Sequence, residues 1–79
     1  MGFHVHAVVT MRKPPNEALM SELDHKFGTA THEVGTTLVD LIEHVPMSDE
    51  ADAIEFVRSL VLDAVPQGSS ITAITATAD

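Results

Sequence analysis

The chain contains no cysteine, tryptophan or tyrosine, and only four glycines and four prolines among its 79 residues. Without cysteine there is no disulfide to staple so short a chain, no thiol nucleophile, no thiolate zinc site and no iron–sulfur ligation. Three phenylalanines are its only aromatics. The core must therefore come from Val, Ile, Leu, Ala and Met, and the stacking platforms that hold single-stranded nucleic acid are missing. Positive charge is scarce too, with 4 Lys and Arg against 12 Asp and Glu for a formal charge of −8. A polyanion would be repelled over most of this surface, because nucleic-acid affinity comes largely from neutralising phosphates. No apolar run approaches the ~18 residues of a membrane span, and no basic stretch followed by an apolar one marks a signal peptide. A soluble, cytoplasmic protein with no nucleic-acid or membrane partner is the expectation. Gly-rich phosphate loops, nucleophile elbows and Ser/His/Asp spacings are also lacking, so no cofactor is implied and catalysis has no motif to rest on.

What remains is patterned. The stretch Phe3-His4-Val5-His6-Ala7-Val8-Val9-Thr10-Met11 is apolar at every odd position, as a strand with one buried face requires. Arg12-Lys13-Pro14-Pro15 stops it, since prolines cannot donate to a ladder. A helix is expected from Pro15 or Asn16 to Phe27, with Leu19, Met20, Leu23 and Phe27 on one stripe and Gly28 after its end. Thr29–Val34 and Thr37–Val45 read as two strands of a hairpin about Gly35-Thr36, pairing residues whose numbers sum to 71. Ser48 is the expected N-cap of a second helix running to Val65, ahead of Asp49 and Glu50. Ser69–Thr77 closes the chain as a Thr/Ile/Ala strand.

The order β-α-β-β-α-β over residues 1–79 gives a single α+β domain of the ferredoxin-like kind: a two-layer sandwich with a four-stranded antiparallel sheet and both helices on one face. The first and third strands are expected side by side at the centre and running parallel, which would place His44 far from His4.

Two helices cover one face of such a sheet, so the other is open. It is expected to carry His4, His6, Val8 and Thr10, then Leu38, Asp40, Ile42 and His44, with Thr31 and Glu33 from the second strand. Val8, Leu38 and Ile42, joined by Ile71 or Ile74, would form an exposed apolar patch. Such a patch on a domain too short to bury more than about 60–65% of its unfolded surface points to self-association. Phe56 and Leu60 widen the apolar arc of the second helix and are also candidate interface residues. His4 and His6 stand about 6.8 Å apart on one side of a strand. With Asp40 and Glu33 they make a candidate ligand or divalent-metal site, although a closed site needs three or four placed ligands. Arg12-Lys13 is the only basic cluster, read as a solvated strand end able to hold an anion. Eight of the twelve acids lie on the two helices, an acidic surface suited to a basic partner or to solubility.

Motifs of known ferredoxin-like families are not matched. Heavy-metal-associated domains carry a cysteine pair after the first strand, acylphosphatases an Arg-bearing glycine loop, and RNA-recognition modules aromatics on the middle strands. ACT domains are similar in length and element order and keep a Pro-Gly segment where this chain has Pro14-Pro15. Small dimeric α/β-barrel proteins pair their open sheets but offer no matching motif. The reading is therefore a superfold. Its leading function is a small acidic, non-enzymatic interaction or regulatory domain that is homo-oligomeric through its open face. The alternatives are a small-ligand or divalent-metal-binding domain centred on His4 and His6, and a small dimeric α/β-barrel-like enzyme.

Overall fold

The computed structural model describes residues 2–78. The elements are β1 (Phe3–Thr10), α1 (Glu17–Lys26), β2 (Thr29–His32), β3 (Leu38–Val45), α2 (Glu50–Ala64) and β4 (Ser70–Ala78). The four strands form one antiparallel sheet in the order β2-β3-β1-β4.

One face of that sheet is covered. Val5, Ala7 and Val9 of β1 and Val39, Leu41 and Val45 of β3 are fully or almost fully buried, together with Leu23 and Phe27 from the α1 segment and Ala53, Val57 and Val61 of α2. The spacing 53, 57, 61 is a single helical stripe, and the odd-numbered strand positions are one pleat face, so two different periodicities meet in one apolar layer. No polar or charged side chain is buried among the described residues, so the layer's contribution to stability is burial of hydrocarbon alone.

The helix ends are set by local hydrogen bonds. Asn16 Oδ1 accepts from the Leu19 N–H at 2.8 Å and caps α1. At α2 the cap is Asp49, whose carboxylate accepts from the Asp52 N–H at 3.1 Å. The expected cap, Ser48, lies one residue too early. A carboxylate at this position both satisfies an orphan N–H and meets the positive end of the helix dipole, which a hydroxyl does less well.

The hairpin register follows the expected sum, with Thr29 opposite Ile42, Ala30 opposite Leu41, Thr31 opposite Asp40 and His32 opposite Val39. The connection is longer than a two-residue turn. Its tip is closed by the Thr36 N–H donating to the Glu33 carbonyl at 3.2 Å, with Gly35 at φ 89° in the third position of the turn. That backbone conformation disfavours a Cβ and accounts for the glycine. The Thr36 hydroxyl also donates to the Glu33 carbonyl at 2.8 Å, and His32 Nε2–H donates to the Thr36 carbonyl at 2.7 Å.

Two expectations about the sheet are overturned. β1 and β3 run antiparallel, pairing His4 with His44 and Val8 with Asp40. A β-α-β crossover returns the chain to the same end, so β2 runs parallel to β1, and the hairpin then reverses β3. Ile71 and Ile74 do not join the open face. They pair with Val9 and Ala7 and pack against the core from the helix side. A bulge at Thr72 separates them in register, and its hydroxyl donates to the Val8 carbonyl at 3.2 Å.

Candidate functional site

The uncovered face is built from the even positions of the two central strands. Cross-strand pairs put Thr10 opposite Leu38, Val8 opposite Asp40, His6 opposite Ile42 and His4 opposite His44. Val8, Asp40, His6 and Ile42 thus occupy the corners of one square. Its polar diagonal is closed, with His6 Nε2–H donating to Asp40 Oδ1 at 2.8 Å. Its apolar diagonal is Val8–Ile42, and Leu38 extends it beyond Asp40. Diagonal neighbours on a pleated surface are within reach of long side chains, which is how this hydrogen bond spans adjacent strands.

Small residues surround the square. Thr31 and Thr29 lie opposite Asp40 and Ile42 on β2, and Ala73 and Thr75 lie opposite Val8 and His6 on β4. Nothing long rises from the flanking strands to cover the centre. Leu38 and Ile42 accordingly remain more than a third exposed, at 38% and 36%, while Val8 is half-buried between its neighbours. The His6–Asp40 pair is itself over 40% exposed on both sides. It orients the two side chains and contributes little to stability.

At the far end of the face the imidazoles of His4 and His44 meet, with ring centroids 4.9 Å apart and planes tilted by 53°. The expected ligand set is therefore divided. His6 goes with Asp40 and His4 with His44, so the two histidines of the His-x-His pattern have different companions. Glu33 does not join either pair, because the ladder ends at His32–Val39 and Glu33 belongs to the turn, where its carbonyl closes the loop. Among the described residues, no three His, Asp or Glu side chains gather in a way that could hold a metal ion. His44 is the member that sequence reasoning placed on the open face but far from His4. The reversal of the chain at the hairpin was the signal that would have found it.

The remaining interface candidates, Phe56 and Leu60, are 44% and 37% exposed and one turn apart on α2. They belong to the helix layer, on the side of the sheet away from Val8, Leu38 and Ile42. They are therefore separate from the apolar exposure of the open face. Among the described residues no helix is long and apolar enough to cross a membrane.

Comparison with models of known protein families, with curated proteins and with solved structures finds no match.

Proposed function

We propose that this chain is a small acidic interaction domain of ferredoxin-like architecture that self-associates by stacking the open faces of two sheets. The observation that carries the reading is the centre of that face, where Leu38 and Ile42 stand exposed beside the half-buried Val8 on the adjacent strand, with only threonine and alanine opposite them on the flanking strands β2 and β4. Three strands of eight or nine residues and one of four cover roughly 450 Å² in projection at the usual strand spacing and rise. Two such faces together come close to the about 1,000 Å² that a specific interface needs. Sheets stack face to face about 10 Å apart when their side chains interdigitate, and a rim of Thr and Ala permits that approach. Association also gives a short domain additional buried surface that its own core cannot supply. The helix layer, which carries most of the acids, offers a second surface to a basic partner.

Light scattering over a concentration series is the test. The wild-type chain is expected to reach twice its monomer mass at high micromolar concentration, and Ile42→Asp to stay monomeric. A wild-type chain that remains monomeric throughout overturns the proposal.

A second reading, divalent-metal binding on the same face, is favoured by the approach of His4 to His44 and the His6–Asp40 contact. Calorimetric titration with zinc, nickel and copper should then show binding that is lost in His4→Ala and His44→Ala. Equal binding by these variants removes it.

A further inference from the structure

The four basic residues of this chain divide into two kinds. Lys26 lies 3.5 Å from Glu22, and Arg58 donates to Glu55 at 3.2 Å, each pair within one helix. Arg12 and Lys13 have no carboxylate at ion-pair distance among the described residues. In a chain with three acids for every base, two adjacent cations without a counter-ion are out of keeping with the composition. Both line one cleft of about 290 Å³, between the segment leaving β1 and the turn entering β4. No Asp or Glu lines it. Its wall is apolar, formed by Met11, Pro14, Leu19 and Pro66 among others.

Arg12 lies along the opposite turn. Ser69 N–H donates to the Pro66 carbonyl at 3.1 Å, and Gly68 within that turn has φ 95°. A Cβ on Gly68 would fall 2.7 Å from Arg12 Nε and 2.8 Å from its Cδ. The absence of a side chain at 68 therefore lets the arginine stem lie along the turn. The prolines on the two sides stiffen the walls.

We propose that this cleft binds a small organic anion: one carboxylate, set between Arg12 and Lys13, on a compact apolar body that rests against the proline and methionine wall. The volume lies at the lower end of small-molecule pockets, which suits a ligand of about the size of benzoate. A planar guanidinium favours a carboxylate through paired hydrogen bonds, and the ammonium adds a point charge. This site is separate from the open sheet face and does not depend on self-association.

The test is an amide-resolved NMR titration of the full chain with benzoate, its neutral analogue benzamide, and inorganic phosphate, in about 0.15 M salt so that diffuse attraction is screened. Benzoate is expected to saturate with a dissociation constant on the order of 1 mM, as the size of the ligand allows. The shifts should centre on the amides of Arg12, Lys13, Asn16 and Gln67–Ser69, leaving those of His6 and Asp40 unmoved. Benzamide and phosphate should each bind at least about tenfold more weakly, as should the Arg12→Gln/Lys13→Gln variant towards benzoate. Lys26→Gln, which removes a paired cation elsewhere, should bind as the wild type does. The proposal is overturned if benzoate gives no saturable shift, if benzamide binds equally, or if the double variant keeps its affinity. Phosphate binding as tight as benzoate overturns it as well, because the apolar wall would then play no part. Should the double variant alter the spectrum beyond the cleft, Gly68→Ala replaces it: displacing Arg12 should weaken benzoate, and unchanged affinity there overturns the assignment.

Discussion

The two faces of the sheet are made from alternate residues of the same strands, yet they differ in almost every respect. On β1, Val5, Ala7 and Val9 are wholly buried, while His4, His6, Val8 and Thr10 between them are not. On β3 the buried residues are Val39, Leu41 and Val45, and the alternate ones are Leu38, Asp40, Ile42 and His44. The buried centre of the closed face is hydrocarbon, with the half-buried Glu43 and His32 on the same side of β3 and β2, and its partners are two helices of the same chain. The open face is a chequer of apolar and polar side chains. Its His6–Asp40 hydrogen bond and ring contact are local, and its hydrophobic groups have no cover within the described residues. A hydrocarbon centre specifies burial without specifying a partner's chemistry, whereas a mixed face can recognise one arrangement of complementary groups.

The sharpest way to break this comparison uses two neighbours, Leu41 and Ile42, which point to opposite faces. Leu41→Ala should destabilise the folded chain by about 3 kcal/mol through lost transfer energy and a residual cavity. That is a large part of the stability of a chain this size, and urea unfolding would measure it. Ile42→Ala should cost the monomer only about 1 kcal/mol, since a third of the side chain is already in water. Equal losses at the two positions, measured at a concentration where the chain is monomeric, would mean that the open face is covered within a single chain.

Next in size is the effect on assembly. Ile42→Asp should raise the dimer dissociation constant at least about 100-fold, equivalent to about 2.7 kcal/mol, by burying an unpaired carboxylate in a stacked interface. Sedimentation equilibrium would report it. Phe56→Asp, on the other layer, should leave the constant unchanged, and a comparable rise there would move the interface to the helices.

The cover of the closed face can be loosened from its end. Asp49→Ala should cost about 1 kcal/mol by removing the α2 cap, and Ser48→Ala only a few tenths. Thermal unfolding of the two variants distinguishes the residues directly. The smallest effect is expected on the open face itself. Asp40→Asn removes the charge from an exposed pair and should change monomer stability by less than about 0.5 kcal/mol. A larger loss would show that the His6–Asp40 contact is shielded from water, as a stacked partner would shield it.

Much of this was legible in the residues. Strict alternation in Phe3–Met11 named the buried set of β1, since a strand has only two sides. The hairpin pairing was also readable, because symmetry about Gly35-Thr36 leaves one register that keeps Val39 and Leu41 with the core. The open-face residues Val8, Leu38 and Ile42 follow from the same alternation. Less legible were features that depend on a single residue's geometry. Ser48 and Asp49 are both good caps, and only the path of the chain into α2 decides between them. Ile71 and Ile74 are an odd number of residues apart and should face opposite sides of a regular strand. The bulge at Thr72 puts both on the core side.

The sequence by itself determined the element order, the apolar stripe of each element and the acidic, cysteine-free character of the surface. These follow from periodicity and composition, which are properties of neighbours along the chain. Only the tertiary structure decided which side chains meet across strands: His6 with Asp40, His4 with His44, and Arg12 with the turn at Gly68. Such contacts join residues tens of positions apart, and strand direction and one bulge select them. Both are set by how the whole chain packs against itself, a balance that no local pattern contains.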